Sequence, residues 1–585
     1  MNYTRIFPCF VWLKGYKRSS FVHDLIAALI VTIMLIPQSL AYALLAGVPA
    51  QVGLYASILP LILYSVFGTS RTLSVGPVAV ASLMTATAIQ NIGVQNDIEY
   101  LNAAIMLALL SGGFLLLLGF FRFGFLANFL SHPVVSGFIT ASGIIIALGQ
   151  LKHILGIESN GDNLPELIQS LALNITETNQ TTLILGGLCL LFLFWSRNGL
   201  KKLLKKFTNS DPIVLLLSKT APVFIVIITS VIAFNFDLAN AGLALVGEIP
   251  AGLPTLQIPI LNNPVWLELL IPAILISIIG YVESVSVGKT LAAKRQQRID
   301  PNQELIGLGA ANLASGLSGG FPVTGGFSRS VVNFDAGAET PAASFMTALG
   351  IALATVTLTG LLAYLPKATL AATIIVAVLG LVDFSILKRT WEYSRSDFIA
   401  VATTMGITLL AGVEIGVLSG VIASIALHLS KTSKPHIAEV GQIKGTEHFR
   451  NINRHTVITY PEILTLRVDE SLYFPNATFL EEKIFKAVAD KHQLKHIILM
   501  CTAVNEIDIS ALEILEAINK RLKELNIGFH LSEVKGPVMD MLKKTDFLSY
   551  LNGQVFLSQY IAIKTLQAQN MEIIKADPNF QDYQI

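Results

Sequence analysis

Long apolar stretches separated by short polar segments dominate the first three quarters of the chain. From Leu25 to Ser70 there is no Asp, Glu, Lys or Arg. This stretch of about 46 residues is long enough for two membrane spans of roughly 20 residues each, and it far exceeds the roughly 7–15 apolar residues of a signal peptide. The pattern predicts an α-helical polytopic membrane protein.

A window of span length finds about fourteen apolar segments along the chain. Seven are centred near Val31, Leu61, Ala81, Met106, Ile139, Leu188 and Ile227, and seven near Ile276, Leu308, Val331, Ala352, Ile374, Thr404 and Ile422. The segments near Ala81 and Val331 are short and interrupted by Gly and Pro.

Two matching broken segments suggest that the halves are related. SVGPVAVAS (Ser74–Ser82) and GGFPVTGGFS (Gly319–Ser328) each mark the third span of a half. Seven spans is an odd number, so the two halves would enter the membrane in opposite directions, as a 7+7 inverted repeat. Such repeats place a binding site at the midplane between their interrupted helices. The alternative is a pair of kinked packing helices, since Gly and Pro are common in membrane helices.

The distribution of basic residues predicts the orientation. Lys and Arg are absent from His153 to Ser196 and from Thr220 to Gly288. Because basic loops stay inside, both termini are expected in the cytoplasm. Without an organelle signal, the plasma (inner) membrane is the expected location. The basic clusters, each after an even-numbered span, are Lys201, Lys202, Lys205 and Lys206; Lys294, Arg295 and Arg298; Lys388 and Arg389; Lys431 and Lys434.

Polar residues become dense after Ser433, and strand and helix patterns alternate. This predicts a small cytoplasmic α/β domain, with neither a phosphate loop nor a metal-spaced Cys/His set. We predict strands at Ile463–Val468, His496–Cys501 and Gly528–Ser532, and helices at Thr478–Lys491, Ser510–Leu525, Lys535–Lys544 and Tyr560–Gln569. The expected domains are a cytoplasmic N-terminal segment (1–22), a transmembrane domain (23–432), a linker (433–453), the α/β domain (454–570) and a tail (571–585).

Composition supports the membrane assignment and narrows the chemistry. The chain has 585 residues, of which 14% are charged, against roughly 25% in soluble proteins. A net charge of +1 suggests no nucleic-acid partner. The three cysteines lie far apart and form neither a disulfide framework nor a metal site. We therefore expect no metal, no cofactor and no enzyme.

The broken segments carry the first candidate chemistry. A helix that begins within the membrane exposes its first N–H groups and the positive end of its dipole. Ser74, Val75, Gly76 and Pro77 fit one helix start, and the stretch Gly325–Ser328, which includes Gly326 and Phe327, fits the other. Two such starts that face each other would form an anion site in a cleft.

Two ionisable residues stand beside these breaks, and such groups persist at membrane depth where they pair or serve a charged solute. Arg329 offers a permanent charge and a forked donor suited to oxyanions. Glu283 lies in an apolar helix, where burial and a nearby cation compete over its protonation, so it is the candidate coupling group. Two alternatives stay open: a structural Glu283–Arg329 ion pair, and a sodium site aided by Ser284 and Ser286.

The first span adds an amide and a phenol. Gln38 and Tyr42 are four residues apart and share a helix face after Pro37. They could line one side of an oxyanion site, or serve to join helices through polar contacts.

Several stretches resemble signatures of the sulfate permease (SulP) family of anion transporters. They are PQSLAYALLAGVPAQVGLYAS, FGTSRTLSVGPVAV, GGFPVTGGFSRS and ESVSVGKTLAAKR. The segment from about Arg454 resembles a STAS domain, with Asn505–Ser510 at its loop-to-helix signature. The resemblance implies a fourteen-span inverted repeat with core and gate domains like those of uracil permeases. It also implies elevator-like transport by a homodimer.

The resemblance places the family's anion site on Gln38 and Tyr42, on Gly76, Pro77 and Val78, and on Ser328 with Arg329. Its coupling carboxylate falls on Glu283. Relatives with glutamate there resemble proton symporters, and sodium-coupled relatives have aspartate. Several relatives have an aromatic residue in place of Val78. Ser510 matches a phosphorylation site of soluble STAS proteins, or is simply an N-cap.

The expected function is secondary active transport of a small inorganic anion, sulfate first, coupled to protons. The alternatives are bicarbonate transport with sodium or protons, C4-dicarboxylate transport, an uncoupled anion channel and a membrane-tethered scaffold. A scaffold would need no polar groups in the broken helices.

Overall fold

A computed structural model describes residues 7–93, 96–128, 132–159, 161–207, 220–247, 252–257, 265–357, 359–566 and 572–574. The chain divides into two compact units, one within Met1–Ser424 and the other within Ile425–Ile585. The predicted tail (571–585) lies outside the described residues, except for 572–574.

The first unit is helical. Its α-helices are α1 Cys9–Leu13, α2 Arg18–Leu45, α3 Ala50–Tyr55, α4 Leu59–Phe67, α5 Ala79–Ile92, α6 Asp97–Phe120, α7 His132–Gly149, α8 Leu151–Leu155, α9 Leu164–Asn174, α10 Gln180–Trp195, α11 Lys201–Phe207, α12 Ala221–Asn235, α13 Val265–Glu268, α14 Leu270–Lys294, α15 Pro301–Leu317, α16 Phe327–Asp335, α17 Ala342–Thr357, α18 Thr359–Leu362, α19 Lys367–Leu379, α20 Ser385–Tyr393, α21 Arg395–Ala411 and α22 Val413–Ser433, the last running into the second unit.

All fourteen predicted segment centres fall within these helices. Six helical stretches of the described chain are long and apolar enough to cross a membrane by themselves, and five shorter apolar helices accompany them. The helical membrane architecture is therefore confirmed, while the count of fourteen spans and the inverted repeat stay predictions.

Close helix packing places the segment that leads to the second break. In the contact between α6 and α15, a Cβ on Gly112 would lie 2.7 Å from the backbone nitrogen of Leu313, and one on Gly309 would lie 2.8 Å from Leu116 Cγ. Small residues allow such close approach, which is the usual basis of helix contacts in lipid. Helix α15 is thereby held firmly just before the chain enters the second broken segment.

The second unit is built on a mixed sheet. Its strands are β3 Ile437–Gln442, β4 Phe449–Asn451, β5 Val457–Thr459, β6 Ile463–Val468, β7 His496–Met500, β8 Gly528–Ser532, β9 Val555–Phe556 and β10 Glu572–Ile574. The order is β10-β5-β3-β6-β7-β8-β9, with β4 on β3; β6 to β9 are parallel and the other pairs antiparallel. The helices are α23 Ala477–Asp490, α24 Ile509–Glu524, α25 Gly536–Leu542, α26 Phe547–Tyr550 and α27 Gln559–Leu566.

The predicted strands and helices of this domain are all present, with bounds within about two residues wherever both ends are described. One detail is wrong. The N-cap of α24 is Asp508, whose carboxylate accepts a hydrogen bond of 2.8 Å from the Ala511 N–H. Ser510 is the second residue of the helix, so the N-cap interpretation fails and only the phosphorylation hypothesis stays open.

Candidate functional site

The two broken segments meet in a short antiparallel ladder. Strand β1 (Val75–Gly76) pairs with β2 (Thr324–Gly325), with Val75 opposite Gly325 and Gly76 opposite Thr324. Helix α5 begins three residues after β1, at Ala79, and α16 begins two residues after β2, at Phe327. The ladder therefore holds two helix N-termini close together, about 250 residues apart in sequence.

Neither helix start has a side-chain cap. The N-cap residues are Val78 and Gly326, and no side chain accepts a bond from the first turn of either helix. Pro77 lies one residue before the N-cap. Uncapped N–H groups and two converging dipoles form an environment suited to an anion.

Arg329 fastens the two segments together. It is 2% exposed, and its guanidinium donates to four backbone carbonyls. Nε donates to the Ser74 oxygen (2.8 Å) and Nη1 to that of Pro77 (2.9 Å), while Nη2 donates to the oxygens of Gly76 (2.6 Å) and Thr324 (2.7 Å). Since a guanidinium has five N–H donors, one remains for any other partner.

Glycine is required around this guanidinium. A Cβ on Gly76 would lie 2.9 Å from Nη1 of Arg329, and a Cβ on Gly326 would lie 2.6 Å from its Nε. Both positions were predicted as parts of the anion site. The structure gives them an additional steric reason, because any side chain there would displace the arginine.

Helix α14 brings Glu283 to the same place. The neighbouring Ser284 hydroxyl anchors α14 to β2, since it contacts the Gly280 oxygen (2.6 Å) and Thr324 Oγ1 (2.7 Å) and accepts from the Gly325 N–H (2.8 Å). These bonds saturate Ser284, which weakens the sodium-site alternative. Glu283, one residue earlier, is turned to the adjacent part of the helix surface.

Glu283 is half-buried, and its carboxylate has no hydrogen-bond or ion-pair partner among the described residues. No nitrogen of Arg329 lies within 4.0 Å of it, so the expected ion pair is absent. The two groups are nonetheless near enough for their charges to interact. The Glu283 carboxylate therefore has no partner among the described residues, because the nearby Arg329 guanidinium donates its hydrogen bonds to backbone carbonyls.

Gln38 and Tyr42 lie on helix α2, which runs through Pro37 without a break. Both are half-buried, and within the described part of the chain their polar groups have no protein partner. They are not among the buried polar atoms sealed from solvent. Tyr42 lies within electrostatic range of both Arg329 and Glu283. The structure thus brings Tyr42, Glu283 and Arg329 together at the helix starts, and Gln38 lies one turn before Tyr42 on the same face of α2.

The remaining predicted positions differ in exposure. Val78 is 7% exposed, Gly76, Pro77 and Gly326 are buried, and Phe327 and Ser328 are exposed at the start of α16. The Ser328 hydroxyl has no partner among the residues described. Ser510 lies in the second unit.

Sequence reasoning missed a fully buried carboxylate in the first unit, Glu304. It accepts four hydrogen bonds, from the Tyr64 hydroxyl (2.6 Å), the Thr69 N–H (2.7 Å) and hydroxyl (2.5 Å), and the Ser70 N–H (3.1 Å). All four groups are donors, which suits an ionised carboxylate. The rule that singled out Glu283 applies equally to this acid.

Other contacts fix the chain that enters β1. The Ser74 N–H donates to Ser330 Oγ (3.0 Å), and the Asn333 amide donates to the Thr72 oxygen (3.0 Å). Thr69 and Ser70 also donate hydrogen bonds to Glu304. Residues of the second half therefore hold most of the segment that leads into β1. The helix start is therefore supported by a rigid polar frame.

Comparisons with known proteins agree with this architecture. A family model described as the sulfate permease family matches residues 21–404, and a STAS domain model matches residues 455–559. "Sulfate transporter 4.1, chloroplastic" of Arabidopsis thaliana is 33% identical over 586 residues, which cover 97% of this chain and 84% of the relative. "High affinity sulfate transporter 2" of Stylosanthes hamata is 31% identical over 96% of this chain and 86% of its own length.

Solved structures show the same fold. The murine Solute Carrier 26 family member A9 (Slc26a9) anion transporter, in the inward-facing state, aligns with a TM-score of 0.87 at 24% identity, covering 96% of this chain and 94% of that one. The transmembrane domain of the cyanobacterium bicarbonate transporter BicA aligns with a TM-score of 0.58 at 20% identity, covering 70% of this chain and 98% of that one. At these identities the likeness establishes the fold alone, and it agrees with a helical membrane domain followed by a STAS domain.

Proposed function

The chain belongs to the sulfate permease family, and from this we propose that it is a secondary active transporter of a small inorganic anion, sulfate first. One observation carries the proposal. Two uncapped helix starts meet at the β1–β2 ladder, and Tyr42, whose hydroxyl has no partner among the described residues, lies within electrostatic range of Arg329 in the second of them. Relatives named as sulfate transporters, at about a third identity over most of the chain, support sulfate as the first substrate to test.

The arrangement suits a tetrahedral oxyanion. N–H groups from the first turns of α5 and α16 would donate from two directions, while the amide of Gln38 and the hydroxyl of Tyr42 would donate from α2. Arg329 would contribute mainly its charge, because four of its five donors are held by carbonyls. This differs from the forked contact expected from sequence.

Glu283 is the proposed coupling group. Its carboxylate is open to the site and has no partner among the described residues, so it can gain and lose a proton without breaking a structural bond. Protonation next to an arriving anion removes a like-charge repulsion, which would link the two movements. Sodium is the less supported coupling ion, because Ser284 is already saturated.

We further propose that transport follows an elevator mechanism in a homodimer, with both termini and the STAS domain cytoplasmic at the plasma (inner) membrane. The helix starts, Arg329 and Glu304 would move as one body, because the polar frame ties the two halves together. Fourteen spans in a 7+7 inverted repeat, with core and gate domains, belong to the same proposal.

Reconstituted Glu283→Gln tests the coupling role. We expect a pH gradient to drive no sulfate accumulation in proteoliposomes, while sulfate–sulfate exchange continues, because the neutral amide mimics the protonated acid. Glu99→Gln, an exposed acid in the first turn of α6, is the matched control and should behave as wild type. Undiminished pH-driven uptake by Glu283→Gln would rule out proton coupling through this residue.

A counterflow panel tests the substrate. Wild-type proteoliposomes loaded with sulfate should exchange it for external labelled sulfate faster than for bicarbonate or a C4-dicarboxylate. Preference for either rival would reassign the substrate, and unitary currents without accumulation would indicate a channel instead.

A further inference from the structure

A large cavity lies beside helix α5, beyond its start. Its volume is about 1050 Å³. We call it the vestibule. The lining residues that the argument uses are Leu83 and Gln90 of α5, Lys152 and His153 of α8, Glu166 of α9 and Lys367 of α19.

The vestibule lies along the helix that starts at the site. Leu83 is four residues beyond Ala79, the first residue of α5, and Gln90 is eleven residues beyond it. At a rise of 1.5 Å per residue these positions lie about 6 Å and about 16 Å from the helix start. The vestibule and the site therefore lie along one helix.

Two lysines and a histidine form one wall. Lys152, His153 and Lys367 are half-buried, and His153 lies within electrostatic range of both lysines. Lys152 Nζ donates to the Ser159 oxygen at 3.1 Å. The Lys367 ammonium has no partner among the residues that the structure describes.

Lys367 is also the first residue of a 13-residue helix with no side-chain cap. The positive end of the helix dipole therefore adds to its charge. An unpaired, half-buried ammonium at such a helix start has unused capacity for an anion.

The acidic lining residues are placed differently. Asp97 and Glu166 are exposed, and both oxygens of Glu166 accept hydrogen bonds, from the Asp162 N–H (3.0 Å) and the Asn163 amide (2.7 Å). Asp162 is the third acid and is half-buried beside Glu166. Exposed charges are screened by salt more strongly than partly buried ones, so Asp97 and Glu166 act on the interior of the vestibule more weakly than the two lysines do.

We propose that Lys367, with His153 and Lys152, forms a second anion site, where an oxyanion is held before it reaches the helix starts. The site goes beyond the proposed transport function and rests on it only for the identity of the anion. The fixed ammonium charges of Lys152 and Lys367, in a cleft with low-dielectric walls, raise the local anion concentration and the rate of entry.

The test measures the field in the vestibule directly. All three native cysteines are buried, so Gln90→Cys, at an exposed position in the lining, gives one reactive thiol. Its modification rates by an anionic and a cationic methanethiosulfonate reagent are measured with Lys367, Lys367→Gln and Lys367→Arg. We expect Lys367→Gln to lower the anionic-to-cationic rate ratio about four-fold, the effect of one unit charge about 10 Å away in water.

Lys367→Arg retains the charge and should retain the ratio. Sulfate should slow the anionic reagent in the Lys367 protein, and 1 M salt should abolish the difference between the variants. An unchanged ratio in Lys367→Gln would overturn the second site. The rate ratio does not depend on transport. A wild-type protein that fails to carry sulfate would refute the proposed function, and the rate ratio would still decide whether the vestibule holds a second anion site.

Discussion

Replacing Arg329 by lysine tests whether this residue acts by bonding the two broken segments together or only through its positive charge. The substitution keeps the charge but replaces a planar fork with three donors on one nitrogen. In the wild-type protein, the three guanidinium nitrogens of Arg329 donate to four backbone carbonyls, at N···O distances of 2.6–2.9 Å. A single ammonium cannot reach all four, and we expect at least two of the bonds to be lost.

The expected magnitude follows from those bonds. A hydrogen bond to a charged group contributes about 1.5–3 kcal/mol, so losing two costs about 3–6 kcal/mol. Removing about 3 kcal/mol from the geometry that binds the anion would weaken sulfate affinity by roughly 100-fold. The same loss should lower thermal stability, because the freed carbonyls of Ser74, Gly76, Pro77 or Thr324 remain buried.

The assay combines two measurements on purified protein in detergent. Calorimetry gives the sulfate Kd, and intrinsic fluorescence gives the melting temperature with and without sulfate. Arg389→Lys, at an exposed arginine, is the control and should alter neither value. If Arg329→Lys matches wild type in both, the clamp is not what holds the helix starts. If only affinity falls and melting is unchanged, Arg329 acts as a ligand and not as a clamp.

Two further substitutions probe groups outside the anion site. Glu304→Gln should cost about 1–3 kcal/mol, because the Tyr64 hydroxyl can turn and accept from the new amide, whereas Glu304→Ala leaves every donor orphaned and should cost more; equal melting temperatures for the two variants would contradict this. In the STAS domain, burial and then neighbouring His496 lower the pKa of His530 to about 4, and its Nδ1 accepts from the Gln554 N–H (3.0 Å). As the pH falls, His530 therefore takes up its proton in the unfolded chain before it does so in the folded chain. The free energy of unfolding, which is fully present above about pH 6.5, should fall by at most about 2 kcal/mol between pH 7 and pH 5. Hydrogen–deuterium exchange across Gly528–Ser532 in the full-length protein would show this loss of stability as faster exchange at pH 5 after correction for the intrinsic rate. His530→Asn keeps a hydrogen-bond acceptor for the Gln554 N–H and should remove most of the pH dependence.

Local pattern was sufficient for much of the architecture. A hydropathy window placed every predicted segment centre within a helix, and alternation located three of the eight described strands of the second unit within about two residues. The Gly and Pro interruptions marked both helix starts, and the cost of charge in a membrane singled out Glu283 and Arg329. These signals lie within a few residues of the features that they predict.

Only the tertiary structure decided what those residues contact. The sequence predicts that the forked donors of Arg329 bind the substrate. In the structure they bind backbone carbonyls, and three of these four partners lie more than 250 residues away in the sequence. The donors that saturate Glu304 are more than 230 residues from it, which is why that acid stayed unnoticed. Hydrogen bonds between distant segments depend on how helices pack across the fold, and a buried charge takes whichever donors or acceptors the packing presents.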